Sequence, residues 1–275
     1  MSSQKAVHKV RGLTGVSKAG HGGTLDPMAC GLLPILLGGA TKLSDFLLTG
    51  DKGYIAGLRF GLVTDTLDVT GQVLRSSGLR PKREQLEAML PRFTGELLQT
   101  PPMYSAISQG GQKLYKLARQ GIEVERAPRR VNIHSLRLLE FSGDGALLEV
   151  ECSKGTYVRS LVFDLGEALG CGACMSGLRR TRAGGFDVRD ALTIEEIERR
   201  GAENCLLPVD ALFAGRPVVL LKDARAEKAL RNGMDVRFDA DFAGECRVYA
   251  ESGEFLALCR AEGGALKTIK SFFEV

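Results

Sequence analysis

The residue with the most chemical potential and the fewest reactive neighbours is Asp26, in the segment GHGGTLDPMACG at 20–31. A carboxylate in such a place can act as a nucleophile or a proton acceptor, or as the counter-ion of an arginine. Pro27 pushes the Asp26 backbone out of the α region into an extended conformation, and the flanking glycines let the chain approach another surface closely. An Asp before Pro also serves as a turn residue or a helix N-cap, and on this segment alone that use is the commoner one. His21, nearby in the same segment, is either a base or a hydrogen-bonding and stacking group.

Two further segments carry candidate groups. In DKGYIAGLRFGLVTDTLDVTGQV, 51–73, Tyr54 opens a strand and TDTLD lies in a turn. Its hydroxyl can act in acid–base work or simply pack. In CSKGTYVRSLVFDLGEALG, 152–170, a strand gives way to a helix around Gly155-Thr156-Tyr157, so Arg159 falls in the first helical turn. A cation is unfavourable there because of the helix dipole, and its placement asks for a carboxylate or phosphate partner. An exposed arginine without one is the alternative.

The formal net charge of +4 is unevenly spread. Residues 215–275 hold ten Lys/Arg and ten Asp/Glu, so the excess lies upstream. The stretch 109–137 carries seven basic residues and two acidic ones, among them Lys113, Lys116, Arg119, Arg126, Arg129 and Arg130. That density fits a phosphate-contacting surface, and equally a solvated helix face. Seven scattered cysteines suit reduced thiols. Cys171 and Cys174 form a C-x-x-C, but no second ligand pair completes a zinc site.

The elements that must position these groups follow from periodicity. Helical patterns occur near 3–11, 40–48, 83–91, 112–120, 156–169 and 193–200, and strand patterns at 54–60, 130–141 and 146–154. Gly143-Asp144-Gly145 joins the last two strands in a hairpin. The expected class is α+β, with a mixed, mainly antiparallel sheet flanked by helices. No GxGxxG or P-loop motif supports a nucleotide cofactor. After Pro208-Val209-Asp210 the texture changes to a short helix and small strands, a barrel-like module of roughly sixty residues. No apolar run is long enough to span a membrane and the N-terminus lacks a signal-peptide core, which makes the cytoplasm the expected location.

Taken in order, GHGGTLDPMACGLLPILLGGATK, DKGYIAGLRFGLVTDTLDVTG, PPMYSAISQGGQKLYKLARQGIEVER, CSKGTYVRSLVFDLGEALGCGA and LRRTRAG closely resemble the TruB family of tRNA pseudouridine-55 synthases over about residues 5–210. Residues 213–275 look like the small RNA-binding PUA domain that follows in many bacterial members, leaving 1–212 as the catalytic domain. The resemblance implies that Asp26 is the catalytic aspartate that isomerises a uridine of the tRNA T-arm. It implies that Tyr54 is the active-site tyrosine and Arg159 the arginine pairing with the carboxylate. His21, Tyr157 and Leu178 then belong to the substrate pocket, and the six basic residues to the RNA backbone contact. It also implies no metal, no organic cofactor, no membrane and a monomer.

Relatives usually begin with a strand and loop of the type G-I-x-x-x-x-K-P-x-G-x-T-S, whereas this sequence starts at the helix that follows. Two other expectations therefore stand beside the active isomerase. One is a tRNA-binding or tRNA-folding module with impaired catalysis. The other is a glycoside hydrolase using Asp26, for which Asp65 and Asp68 are the evident second carboxylates.

Overall fold

A turn at Gly143-Asp144 reverses the chain between two neighbouring strands of the main sheet, as the hairpin signal predicts. In the computed structural model, which describes residues 1–239 and 241–273, that sheet has seven strands. They are β1 (Cys30–Gly31), β2 (Lys52–Phe60), β3 (Gly95–Gln99), β4 (Arg129–Ser142), β5 (Gly145–Cys152), β6 (Ala173–Ala183) and β7 (Phe186–Asp187). The spatial order is β7-β6-β2-β5-β4-β3, antiparallel throughout, with β1 adding a parallel pairing to β6. The expected α+β class with a mainly antiparallel sheet is what the chain adopts.

Strand β5 shows why one face of this sheet is buried. Ala146, Leu148, Val150 and Cys152 alternate with half-exposed neighbours, the period-two pattern of a strand with one covered face. Helix α5 (Val158–Ala168) contributes the buried residues Leu161, Val162 and Leu165 to the core. At Gly166 a Cβ would run into the backbone of Ala173 on β6, so glycine lets helix and strand approach closely.

Helices α1 (Ser3–Thr14), α2 (Ser44–Thr49), α3 (Arg83–Met89) and α4 (Leu114–Arg119) fall where periodicity places them, although α4 is shorter than the 112–120 pattern. Gln112–Lys113 instead pairs with Ser108–Gln109 in a small hairpin, which consumes the backbone groups that a longer helix would need. Two more helices follow, α6 (Ile194–Arg200), started by a Thr193–Glu196 capping box, and α7 (Ala224–Arg231).

The described residues divide into two units. One comprises Met1–Lys9, Gly20–Leu36 and Leu43–Leu192; the other comprises Val10–Ala19, Leu37–Lys42 and Thr193–Val275. The second unit holds a five-stranded sheet of β8 (Val218–Leu221), β9 (Val236–Arg237), β10 (Gly244–Ala250), β11 (Phe255–Glu262) and β12 (Ala265–Ser271), in the order β8-β10-β11-β12-β9. Its core includes Val248, Leu256, Ala257, Cys259 and Leu266, all fully buried, and Phe213, Phe255 and Phe272 form an aromatic cluster beside it. Among the described residues no helix is long and apolar enough to cross a membrane.

Candidate active site

Asp26 sits in a loop that is anchored at several points along its length. Leu25 N–H donates to the Ser3 hydroxyl at 2.9 Å, and the Asp26 carbonyl accepts from Ala29 N–H at 2.9 Å, closing a turn directly over Pro27. The chain then enters β1 beside β6. Its glycines have separate causes. Gly31 lies at φ +95 against the backbone of Arg180, where a Cβ would collide with that peptide; Gly22 leaves room for the Leu47 side chain, whose Cδ1 would lie 2.5 Å from a Cβ. The glycines therefore belong to the close packing of this loop.

The partner that Arg159 requires is Asp26. Its Nε and Nη2 donate to the two carboxylate oxygens at 2.8 and 2.9 Å, a bidentate fork across 133 residues of sequence. Arg159 is 5% exposed, and two more of its donors are taken, one on Nη1 by the Thr66 carbonyl at 3.0 Å and one on Nη2 by the Tyr104 carbonyl at 2.8 Å. The TDTLD turn thus supplies an acceptor to the arginine. Its own two acids are occupied elsewhere: Asp68 accepts from Thr66 and Thr70, and Asp65 from Gln72 N–H and the Tyr104 hydroxyl. Both carboxylates are engaged within this turn and by Tyr104.

Tyr54 stands on β2 directly across from Val150 on β5 and Arg180 on β6, and packs against the core. Burial pushes its phenol up to about 12, with the nearby Cys152 adding to the rise and Arg180 opposing it. At neutral pH Tyr54 is therefore an uncharged ring with a hydroxyl that can donate. Leu178 lies two residues before Arg180, opposite Ala56, and is buried in the same core. His21 accepts a 3.3 Å hydrogen bond from Gly23 N–H at Nδ1, which leaves Nε2 to carry the proton in the neutral ring. Burial and the Arg180 charge lower its pKa, favouring that neutral form. Tyr157 is the residue that caps α5, half-buried, its phenol raised by burial.

Sequence reasoning missed Arg180. It is 1% exposed, donates from Nε to the Leu32 carbonyl at 2.7 Å and from Nη2 to the Gly23 carbonyl at 3.1 Å, and meets the Tyr54 hydroxyl. One side chain thus holds both ends of the Asp26 loop. Of the six basic residues expected at RNA phosphates, Lys113, Lys116, Arg119, Arg129 and Arg130 are exposed, with Arg119 over the Tyr115 ring at 5.6 Å. Arg126 is committed internally, to Glu123 and the Pro101 carbonyl. Cys171 and Cys174 are buried free thiols, and burial raises Cys174 to about 11, which disfavours a reactive thiolate.

The acid–arginine fork and the strand-borne tyrosine sit on an antiparallel sheet whose fold has solved counterparts. The fold superposes on a chain of a Cbf5-Nop10-Gar1 complex with a TM-score of 0.72 at 26% identity, over 99% of this chain and 82% of that one. In sequence, residues 11–158 match the TruB family pseudouridylate synthase N-terminal domain, and residues 159–214 the tRNA pseudouridylate synthase B C-terminal domain. The tRNA pseudouridine synthase B of Azoarcus sp. (strain BH72) is 47% identical over 270 residues, covering 97% of this chain and 89% of that protein. The protein of the same name from Dechloromonas aromatica (strain RCB) is 48% identical over 254 residues, covering 91% and 85%. The chain belongs to the TruB family of pseudouridylate synthases.

Proposed function

We infer that the protein isomerises uridine to pseudouridine in tRNA, at position 55 of the T-arm, with Asp26 as the catalytic carboxylate. The observation that carries this reading is the bidentate Asp26–Arg159 fork in a chain of this family. The reaction breaks the N1–C1′ bond, turns the uracil and joins C5 to C1′, so the base must be detached and yet retained. A carboxylate can serve by attacking the sugar or the ring, or by withdrawing a sugar proton. In each case it must be held in one orientation, and the Arg159 fork holds it.

A uridine in a folded T-arm is stacked, and extruding it costs a few kcal/mol. The Tyr54 ring and the neutral His21 imidazole offer stacking surfaces that offset this, with Leu178 and Tyr157 completing the pocket wall. Lys113, Lys116, Arg119, Arg129 and Arg130 supply exposed cations for the RNA backbone, and recognition then rests on RNA shape and splayed bases. The five-stranded module within 213–275 is assigned the role of a PUA-like RNA-binding domain, acting through a local patch because its charges balance.

The test is release of tritium from tRNA labelled at C5 of uridine. The wild-type chain is expected to release it, and Asp26→Asn to release none while its tRNA affinity stays within about tenfold. A silent wild-type chain overturns the function, and equal release by the variant overturns the role of Asp26.

A further inference from the structure

Helix α5 has to present Arg159 with little freedom, because the guanidinium must meet both oxygens of Asp26 at once. Yet its cap residue, Tyr157, has an extended backbone (φ −101, ψ 105) and makes no side-chain cap hydrogen bond. What fixes this end of the helix is a side chain from the far edge of the sheet. Gln99, the last residue of β3, is 4% exposed; its Oε1 accepts from Tyr157 N–H at 2.7 Å and its Nε2 donates to the Tyr157 carbonyl at 3.1 Å. Both main-chain groups of one residue are thereby bound, as a neighbouring strand would bind them. The same carbonyl also receives the first helical bond, from Leu161 N–H, so the clamp acts where the helix begins.

Two further ties run between the same segments. Ser160 Oγ donates to the Thr100 carbonyl at 3.0 Å, and Arg159 Nη2 to the Tyr104 carbonyl at 2.8 Å. Residues 157, 159 and 160 are thus seated on residues 99, 104 and 100. We propose that Gln99 is a positioning residue for the reaction: its buried carboxamide fixes the start of α5 and, through it, the Arg159 guanidinium that grips Asp26. The proposal rests on Asp26 and Arg159 acting as the catalytic pair. Gln99 bonds to neither Asp26 nor Arg159; it meets the pocket residue Tyr157 only at its main-chain groups, and its effect on Arg159 travels over two residues of chain.

A carboxamide suits this place because it carries a donor group and an acceptor oxygen side by side. Methionine has similar length and neither group. An ionised glutamate keeps the acceptor and loses the donor, whereas a protonated one regains an O–H to give to the Tyr157 carbonyl. Burial favours that protonated form, so the replacement is itself a pH-dependent probe.

The experiment compares wild type, Gln99→Met and Gln99→Glu by single-turnover rate at saturating tRNA, tRNA dissociation constant and melting temperature. A displacement of about 1 Å at Arg159 is expected to slow Gln99→Met about thirtyfold to a hundredfold, with the dissociation constant within about threefold of wild type. The deficit of Gln99→Glu is expected to narrow as pH falls from about 8 to about 6, because the protonated carboxyl restores the second hydrogen bond. A side chain that served only stability would lower the melting temperature and leave the rate of the folded enzyme unchanged. A Gln99→Met rate within about threefold of wild type overturns the proposal. So does a Gln99→Glu deficit that is flat with pH, and this comparison alone decides if Gln99→Met does not fold. A wild-type chain that turns over no tRNA fails the underlying function, an outcome separate from both.

Discussion

Arg159 and Arg180 are both buried beside the Asp26 loop, and they are held in opposite ways. Arg159, in the first turn of α5, meets a carboxylate through a bidentate fork and two carbonyls beside it. Arg180, in the middle of β6, has hydrogen bonds to the Gly23 and Leu32 carbonyls and a phenol against it. The first arrangement orients a carboxylate, the one proposed above to act on the uridine. The second spends a charge on geometry, since the guanidinium's rigid fork reaches both ends of a loop that strand pairing alone would leave free to move. On the proposed function, chemistry and scaffolding are divided between two buried arginines, and the difference lies in what each one touches.

Substitutions can break this division. Arg159→Met leaves Asp26 without its cation in a mostly enclosed site, and is expected to lower the single-turnover rate by at least about a hundredfold. Stripping the arginine from the pair is expected to cost about 1–2 kcal/mol in denaturant unfolding as well, less than for a fully buried pair because the carboxylate is partly open to water. Arg180→Met strands two carbonyls but no charge, so its larger effect falls on stability, about 2–4 kcal/mol, with a rate loss of about tenfold as the loop loosens. If Arg180→Met costs more rate than Arg159→Met, the division of labour is wrong.

A smaller effect sharpens the role of Tyr54. Its folded pKa of about 12 lies above the unfolded value of about 10, so the native state keeps a proton that the unfolded chain gives up. The stability this contributes is complete below about pH 10 and is lost as pH rises through about 12. Tyr54→Phe is expected to remove up to about 1.4 kcal/mol per pH unit of alkaline destabilisation in that window, read as the difference between the two unfolding curves. Identical slopes would mean that burial does not raise the Tyr54 phenol.

What could be read from the sequence follows the same contrast. Arg159 was visible because a cation in the first turn of a helix is unfavourable by itself, so local structure demanded a partner. Asp26 alone favoured a turn, and only the order of motifs raised it to a candidate catalytic residue. Gln99 left no signal, and Arg180 none beyond its place in LRRTRAG, because the hydrogen bonds that fix them go mainly to backbone carbonyls and amides, which any sequence supplies. The glycines of GHGGTLDPMACG announced a close approach, but what they approach, the Leu47 side chain and the Arg180 peptide, depends on pairings more than a hundred residues apart in one case. Leu67, at φ +61 within TDTLD, is a similar miss. That sparsely populated conformation persists because the Leu67 carbonyl and Val69 N–H both bond to Met175 on β6. The basic stretch was visible as a density of charge, and only the three-dimensional structure separates the internally committed Arg126 from its exposed neighbours.

The most direct test of the Asp26–Arg159 pair as the centre of uridine isomerisation is to map pseudouridine in an unmodified tRNA transcript after treatment with the wild-type chain and with Asp26→Asn. A single new pseudouridine in the T-loop, made by the wild type alone, is the expected result. The same modification by both proteins, or none by the wild type, would contradict it.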